Sequence, residues 1–167
     1  MAEAANTKIF LENSLIAGEV KFAGFEDQIG LLNVDLEINL PMIQGRARGV
    51  TNGESVHTGV KITKYGDIAS PLLMGHCSAG TTIGDVTITF LRNFEGEMKL
   101  YRTITLSEVW VSRYAVAGSD QETDDMPLEE VTLDYSRIED EFVQQTSDGA
   151  AGGSVSAIWD LKTLTNS

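Results

Sequence analysis

The 167-residue sequence has little of what chemistry most often requires: it contains one cysteine, two histidines and no long apolar run. Cys77 has no second thiol to pair with, so the fold is expected to stand without a disulfide and to suit a reducing cytoplasm. No stretch approaches the roughly 18 consecutive apolar residues of a membrane span. Met1 to Lys8 holds no basic leader followed by an apolar run, so export would need a dedicated machine. Positive charge is scarce too, with 12 Lys and Arg against 25 Asp and Glu and a formal charge of −13. Phosphate backbones and anionic lipid are bound by cations that displace counterions, so neither nucleic acid nor membrane is an expected partner.

What is present fits a single domain over residues 1–167, long enough to bury a core without a metal, with 1–6 and 163–167 as loose ends. Hydrophobic residues make up 42% of the chain, as in a globular protein and not a disordered one. Acid is concentrated in residues 118–148, which hold 11 Asp or Glu against Arg137 alone. One strongly negative face or rim is expected there.

Alternation dominates the rest. From Leu31 to Leu40, Leu32, Val34, Leu36, Ile38 and Leu40 fall on one side, and Asn33, Asp35, Glu37 and Asn39 on the other. This predicts a strand with one wet face. Similar runs occur at Val86, Ile88 and Phe90, at Met98, Leu100 and Ile104, and at Val131, Leu133 and Tyr135. Asn93 to Gly96 reads as a four-residue hairpin loop between the first two of these.

The exception is Ser70 to Gly80. Ser70 can cap free amides, Pro71 suits the first helical position, and Gly80 can adopt the left-handed conformation that ends a helix. Leu72, Leu73, His76 and Cys77 would then share a face that plugs an end of the barrel or covers a gap in it. The predicted fold is mainly β: an antiparallel barrel with one short helix at about 70–79 and an extended loop at about 41–56. That loop is too long for a simple turn, and Arg46 and Arg48 suit it to meet a negative partner surface. Ser147 to Ser154 reads as a flexible loop before a last strand ending near Leu161.

Candidate chemistry is sparse. His76 and Cys77 are adjacent, which does not itself create a nucleophile and base, and they read as a packed helix face. His57 begins a strand without a metal-ligand partner at familiar spacing and reads as a surface or interface residue. Asp120, Glu122, Asp124 and Asp125 lack the glycine and distal glutamate of a calcium loop. The glycines between Gly75 and Gly84 have neither nucleotide-loop spacing nor its Lys-Ser/Thr. No catalytic residue, metal ligand or cofactor site is expected.

Four segments resemble, in order, the haemolysin-coregulated protein (Hcp) family of type VI secretion. They are Ile62 to Gly80, with its Thr-Lys-Tyr, Ser-Pro-Leu-Leu-Met and Cys-Ser-Ala-Gly; Ile104 to Ser112; Glu130 to Tyr135; and Asp148 to Val155. The resemblance implies a small barrel closing head to tail into a homo-hexameric ring. Rings would stack into an inner tube that carries or chaperones effector proteins and meets the spike and sheath of the machine. It further implies no enzymatic activity, cytoplasmic assembly, and secretion without a cleaved signal peptide. Asn33, Asp35, Glu37 and Asn39 would face the lumen and its cargo. Met42, Gln44, Arg46, Arg48 and Val50 would contact the next ring. Phage tail-tube proteins look similar in fold, so a tube subunit of another contractile injection system is one alternative, and an effector-binding chaperone or secreted ring without a tube is another.

Overall fold

A computed structural model of the chain describes residues 6–44, 50–118, 126–148 and 150–166. Ahead of the helix lie β1 (Thr7–Asn13), β2 (Ile29–Leu31), β3 (Asn33–Asn39), β4 (Met42–Gln44), β5 (Val50–Asn52) and β6 (Val56–Tyr65). The helix, α1 (Ser70–Ala79), is followed by β7 (Thr82–Phe94), β8 (Glu97–Ala117), β9 (Leu128–Asp134), β10 (Arg137–Gln145) and β11 (Ala151–Asp160). The expected antiparallel β fold with one short helix is what the described residues form.

The main sheet runs β2–β1–β7–β8–β9–β6–β3, with β10 pairing β8 and β11 pairing β10. Its organiser is β8, 21 residues long. Arg102–Ser107 of β8 lies against β10, whereas Trp110–Ala117 lies against β9. Between the two stretches the backbone takes positive φ at Glu108 (50°) and, in the neighbouring β7, at Gly84 (77°), where the register also shifts. Such irregularities bend a strand, and here they let β8 serve two halves of the sheet. Inward side chains of both halves, among them Ile62, Val86, Ile88, Ile104, Leu106 and Val131, form one core.

Hydrogen bonds do not close the ladder into a complete barrel. Its two ends, β2 and β3, follow each other through Leu32, whose N–H donates to the Thr63 carbonyl at 2.8 Å. The expected strand from Leu31 to Leu40 is therefore bent at its start. Of its five alternating apolar residues only Val34 and Leu36 pack against the core. Leu32, Ile38 and Leu40 are about half exposed, because the strand bends at Leu32 and the register shifts between Leu36 and Ile38.

Three other local expectations need correction. The hairpin between β7 and β8 turns in two residues, Glu95 and Gly96, at φ 50° and 91°. Two consecutive positive φ angles match the twist of flanking strands, so pairing continues to Phe94 and Glu97. The loop expected to reach Ser154 gives way at Ala151, where β11 begins. Ser70 is not the helix N-cap: Ala69 holds that position, and the Asp67 carboxylate accepts the Ala69 N–H at 2.9 Å. Gly80 does end the helix in the left-handed conformation, at φ 64°. On α1, Leu73 is buried and Cys77 packs against the core, but Leu72 points away and is about half exposed.

Candidate interaction surface

The polar residues of β3 lie where alternation places them. Asn33, Asp35, Glu37 and Asn39 are all exposed. The Asn33 amide donates to Asp35 at 2.9 Å, and the Asn39 amide donates to Glu37 at 2.7 Å. Each carboxylate thus has an amide partner on its own strand, forming a hydrated polar ladder. One edge of β3 pairs with β6, and no strand among the described residues pairs with its other edge.

The segment expected to contact the next ring forms a small hairpin of its own, β4 with β5, closed by the Gly53 N–H donating to the Pro41 carbonyl at 2.9 Å. Gln44 and Val50 are paired there, and Met42 is exposed. Arg46 and Arg48 lie outside the described residues, as do Asp120, Glu122, Asp124 and Asp125.

Below β3 runs a cleft of about 730 Å³ that separates it from β10 and β11. Leu36, Ile38 and Leu40 form one wall, and Ile138, Ala157 and Trp159 the other. His57 lines its floor; its Nδ1 and the Tyr135 hydroxyl are 2.8 Å apart, and burial lowers the imidazole pKa from its ordinary value. Ser55 and Trp159 also line the cleft, and neither Ser55 Oγ nor Trp159 Nε1 has a hydrogen-bond partner among the described residues. Buried donors without acceptors are uncommon in finished interiors. Along the far side of the cleft, β10 is the one strand among the described residues that pairs with β11, which is bridged besides only from Asp160 to Thr165. From Ala151 to Trp159 it carries no charge and no proline, and its Val155 is 77% exposed. Natural sheets usually protect such edges with charge, proline or a bulge.

The negative face expected over 118–148 rests partly on Asp120, Glu122, Asp124 and Asp125, outside the described residues; within 126–148 several acids are paired with cations. Asp140 takes a two-pronged bond from Arg102 at 2.6 and 2.8 Å, Glu130 binds Lys61 and Arg113, and Arg137 pairs with Glu139. Strand alternation sends neighbouring acids to opposite sides, where cations of β6 and β8 meet them.

Glu129 is the extreme case, and sequence reasoning missed it. Its side chain is buried opposite Lys64, the largest fully buried side chain among the described residues. Lys64 Nζ reaches Glu129 at 2.8 Å, Asp67 at 2.8 Å, the Tyr65 carbonyl at 2.8 Å and Ser70 Oγ at 3.1 Å. Ser70 and Tyr114 each donate to Glu129 at 2.8 Å. Burial alone would raise the Glu129 pKa, but the bonds from Lys64, Ser70 and Tyr114 hold it below its ordinary value. Burial and the bond to Glu129 push the Tyr114 phenol up to about 12. The signal was present: Val60, Ile62 and Lys64 share the inward phase of β6, and Glu129, Val131 and Leu133 that of β9.

Comparison with known proteins gives this surface its context. Residues 9–142 match the family described as "Type VI secretion system effector, Hcp". Protein hcp1 of Pseudomonas aeruginosa is 36% identical over 105 residues, which are 62% of this chain and 63% of that relative's length. A solved structure described as a type six secretion system protein superposes with a TM-score of 0.87 at 21% identity, covering 95% of this chain and 98% of the other. Hcp1 from Salmonella typhimurium gives 0.75 at 22% identity, covering 97% and 99%. A type VI secretion system effector from Yersinia pestis gives 0.70 at 24%, covering 91% and 98%. At these identities the structural likenesses establish the fold.

Proposed function

The chain belongs to the Hcp family of type VI secretion proteins, and from that membership we propose that it is a tube subunit, closing into six-membered rings that stack and carry effector proteins. The observation that carries the reading is the open cleft with a free strand edge on each side, β3 and β11. A head-to-tail ring needs two different surfaces on every subunit. The two edges differ as required: β3 is polar and acidic, β11 small and uncharged. Pairing β11 of one subunit near β3 of the next would cover the apolar walls and offer acceptors to Trp159 and Ser55.

In such a ring the ladder of Asn33, Asp35, Glu37 and Asn39 lines the lumen and meets cargo. Its hydration suits a channel through which a passenger must slide, because amides and carboxylates already paired with each other hold it weakly. Met42, Gln44, Arg46, Arg48 and Val50 meet the next ring. Function lies in assembly and carriage instead of turnover, and the spike, sheath and effectors of the machine are its partners. The protein assembles in the cytoplasm and leaves without a cleaved signal peptide.

Light scattering tests the assembly. The wild type is expected near six times 18.1 kDa. Val155→Lys, at an exposed position that leaves the core intact, places a charge on the β11 edge and is expected to reduce the particle to single subunits. A wild-type monomer at micromolar concentration would remove the ring reading. An intact ring in Val155→Lys would remove the role of β11 alone.

A further inference from the structure

Helix α1 is attached to the sheet in an unusual way. Only Ser70 and Leu73 of its ten residues are buried, while Ile68 just before it and Leu72 and Met74 within it are about half exposed. Leu73 contributes about 1.5–3 kcal/mol of apolar burial, and the N-cap Ala69 and the partly buried Cys77 add smaller contacts, a modest hold on a ten-residue helix. By contrast, the start of the helix is bound by a dense charged network. Lys64 from β6 reaches Ser70 on α1, Asp67 before it and Glu129 on β9, and Tyr114 from β8 completes the shell of Glu129. The Asp67 N–H in turn donates to Ser70 Oγ at 3.0 Å. Every element around the helix start contributes a polar group aimed at the same point.

We propose that this network is a latch: the buried Lys64–Glu129 pair holds α1 as a strap over the sheet, and loss of its charge balance releases residues 67–79 while the strands remain folded. Removing one partner of a buried ion pair leaves the other charge without compensation, and the structure must let water reach it. The strands have no cheap way to do so, because Ile62 and Val131, the next inward pair, lie in the centre of the core. The helix does, since its outer face is already wet. Acid provides the natural trigger. With Glu129 held below its ordinary value of 4.5, the latch is at full strength above that pH and weakens as pH falls through the lower folded value. The charged and titratable groups facing Glu129 are Lys64, Asp67 and Tyr114.

Hydrogen exchange on the full-length protein tests the latch independently of ring assembly, whose readout is particle mass. In Glu129→Gln, which keeps the shape of the side chain, amides of 69–79 are expected to exchange at least tenfold faster, with those of 86–91 and 104–106 within about twofold of wild type. Lys64→Met should behave alike. If Lys64→Met fails to fold, Ser70→Ala and the wild type taken below pH 4 supply the second reading. There Cys77, the single thiol, should react faster with an acid-tolerant pyridyl disulfide than in wild type at pH 6, after correction for intrinsic reactivity. Unchanged exchange across 69–79 would show that something else holds the helix. Equal acceleration of helix and strands would show that α1 cannot be released by itself. Either result overturns the latch.

Discussion

The two ends of β6 solve opposite problems. At one end Lys64 is completely buried, yet four oxygens within 3.1 Å surround its ammonium. At the other end His57 opens onto a cleft whose apolar walls are uncovered and in which Ser55 Oγ and Trp159 Nε1 lack partners among the described residues. The costly group is fully provided for within the chain, and the inexpensive apolar surface is left bare. A buried charge must be compensated wherever the subunit is, assembled or free. Apolar walls need cover only once a neighbour arrives. Under the ring reading, the contrast separates what the subunit completes by itself from what it would leave to assembly.

The residue that separates the two ends is Gly59. Inward positions Val60, Ile62 and Lys64 follow period two, and strict alternation would bring Thr58 inward and turn His57 out. Instead the register shifts between Leu36 and Ile38, so His57 lies opposite Ile38 and joins the cleft. Gly59 makes this possible with φ 81°, and a Cβ there would lie 3.0 Å from the Leu133 carbonyl oxygen and 2.5 Å from an Asp134 carboxylate oxygen. The carboxylate can swing aside, but the backbone carbonyl cannot. Gly59→Ala is therefore expected to cost about 2–4 kcal/mol in urea unfolding, from left-handed strain plus the contact with Leu133. It should also erase the difference between the ends by returning His57 to the outer face, seen as loss of the His57–Tyr135 contact by NMR. A loss below about 0.5 kcal/mol would show that β6 bends by other means.

How much of this was legible depends on which period governs each residue. The helix was readable because Pro71 and Gly80 mark its ends locally. The polar ladder was readable because Asn33, Asp35, Glu37 and Asn39 sit in phase on one strand. The cleft was not, because Ile38, Leu40 and Trp159 look like ordinary core residues, and only the bends at Leu32 and Gly59 leave them uncovered. Nor was the latch: a lone lysine in an apolar phase identifies a buried cation only once its partner is known, and Glu129 is 65 residues away. β10 was missed for a related reason. β10 reads Arg-Ile-Glu-Asp-Glu-Phe, where inward Asp140 bonds Arg102 and so breaks the apolar alternation that would have revealed the strand.

A gentler change sharpens the contrast. Ser55→Ala removes a buried hydroxyl that has no partner among the described residues, so the free subunit is expected to lose nothing and to gain up to about 1 kcal/mol in urea unfolding. If a neighbouring subunit supplies the acceptor, the same change should weaken the ring, read as a higher concentration at which it dissociates in light scattering. Destabilisation of the free subunit would show that the hydroxyl is already satisfied within the chain and that the cleft is more complete than its walls imply.

The smallest expected effect separates the ends by pH. Burial lowers the His57 pKa from its ordinary 6.5, so in the folded chain the neutral ring is favoured and its Nδ1 can accept from the Tyr135 hydroxyl. As pH falls through 6.5 the unfolded chain takes up the proton first, and stability declines until the lower folded value is passed. The Glu129 end changes only below 4.5, from the opposite group with the same direction of slope. Urea midpoints of the free subunit should therefore decline slightly from pH 7 to pH 5, and His57→Phe should flatten that interval while leaving the steeper fall below pH 4.5. His76→Phe gives the control, at a partly buried ring bonded to Thr81 just beyond α1. If His76→Phe flattens the slope and His57→Phe does not, the titrating group belongs to the helix and the cleft is neutral to pH.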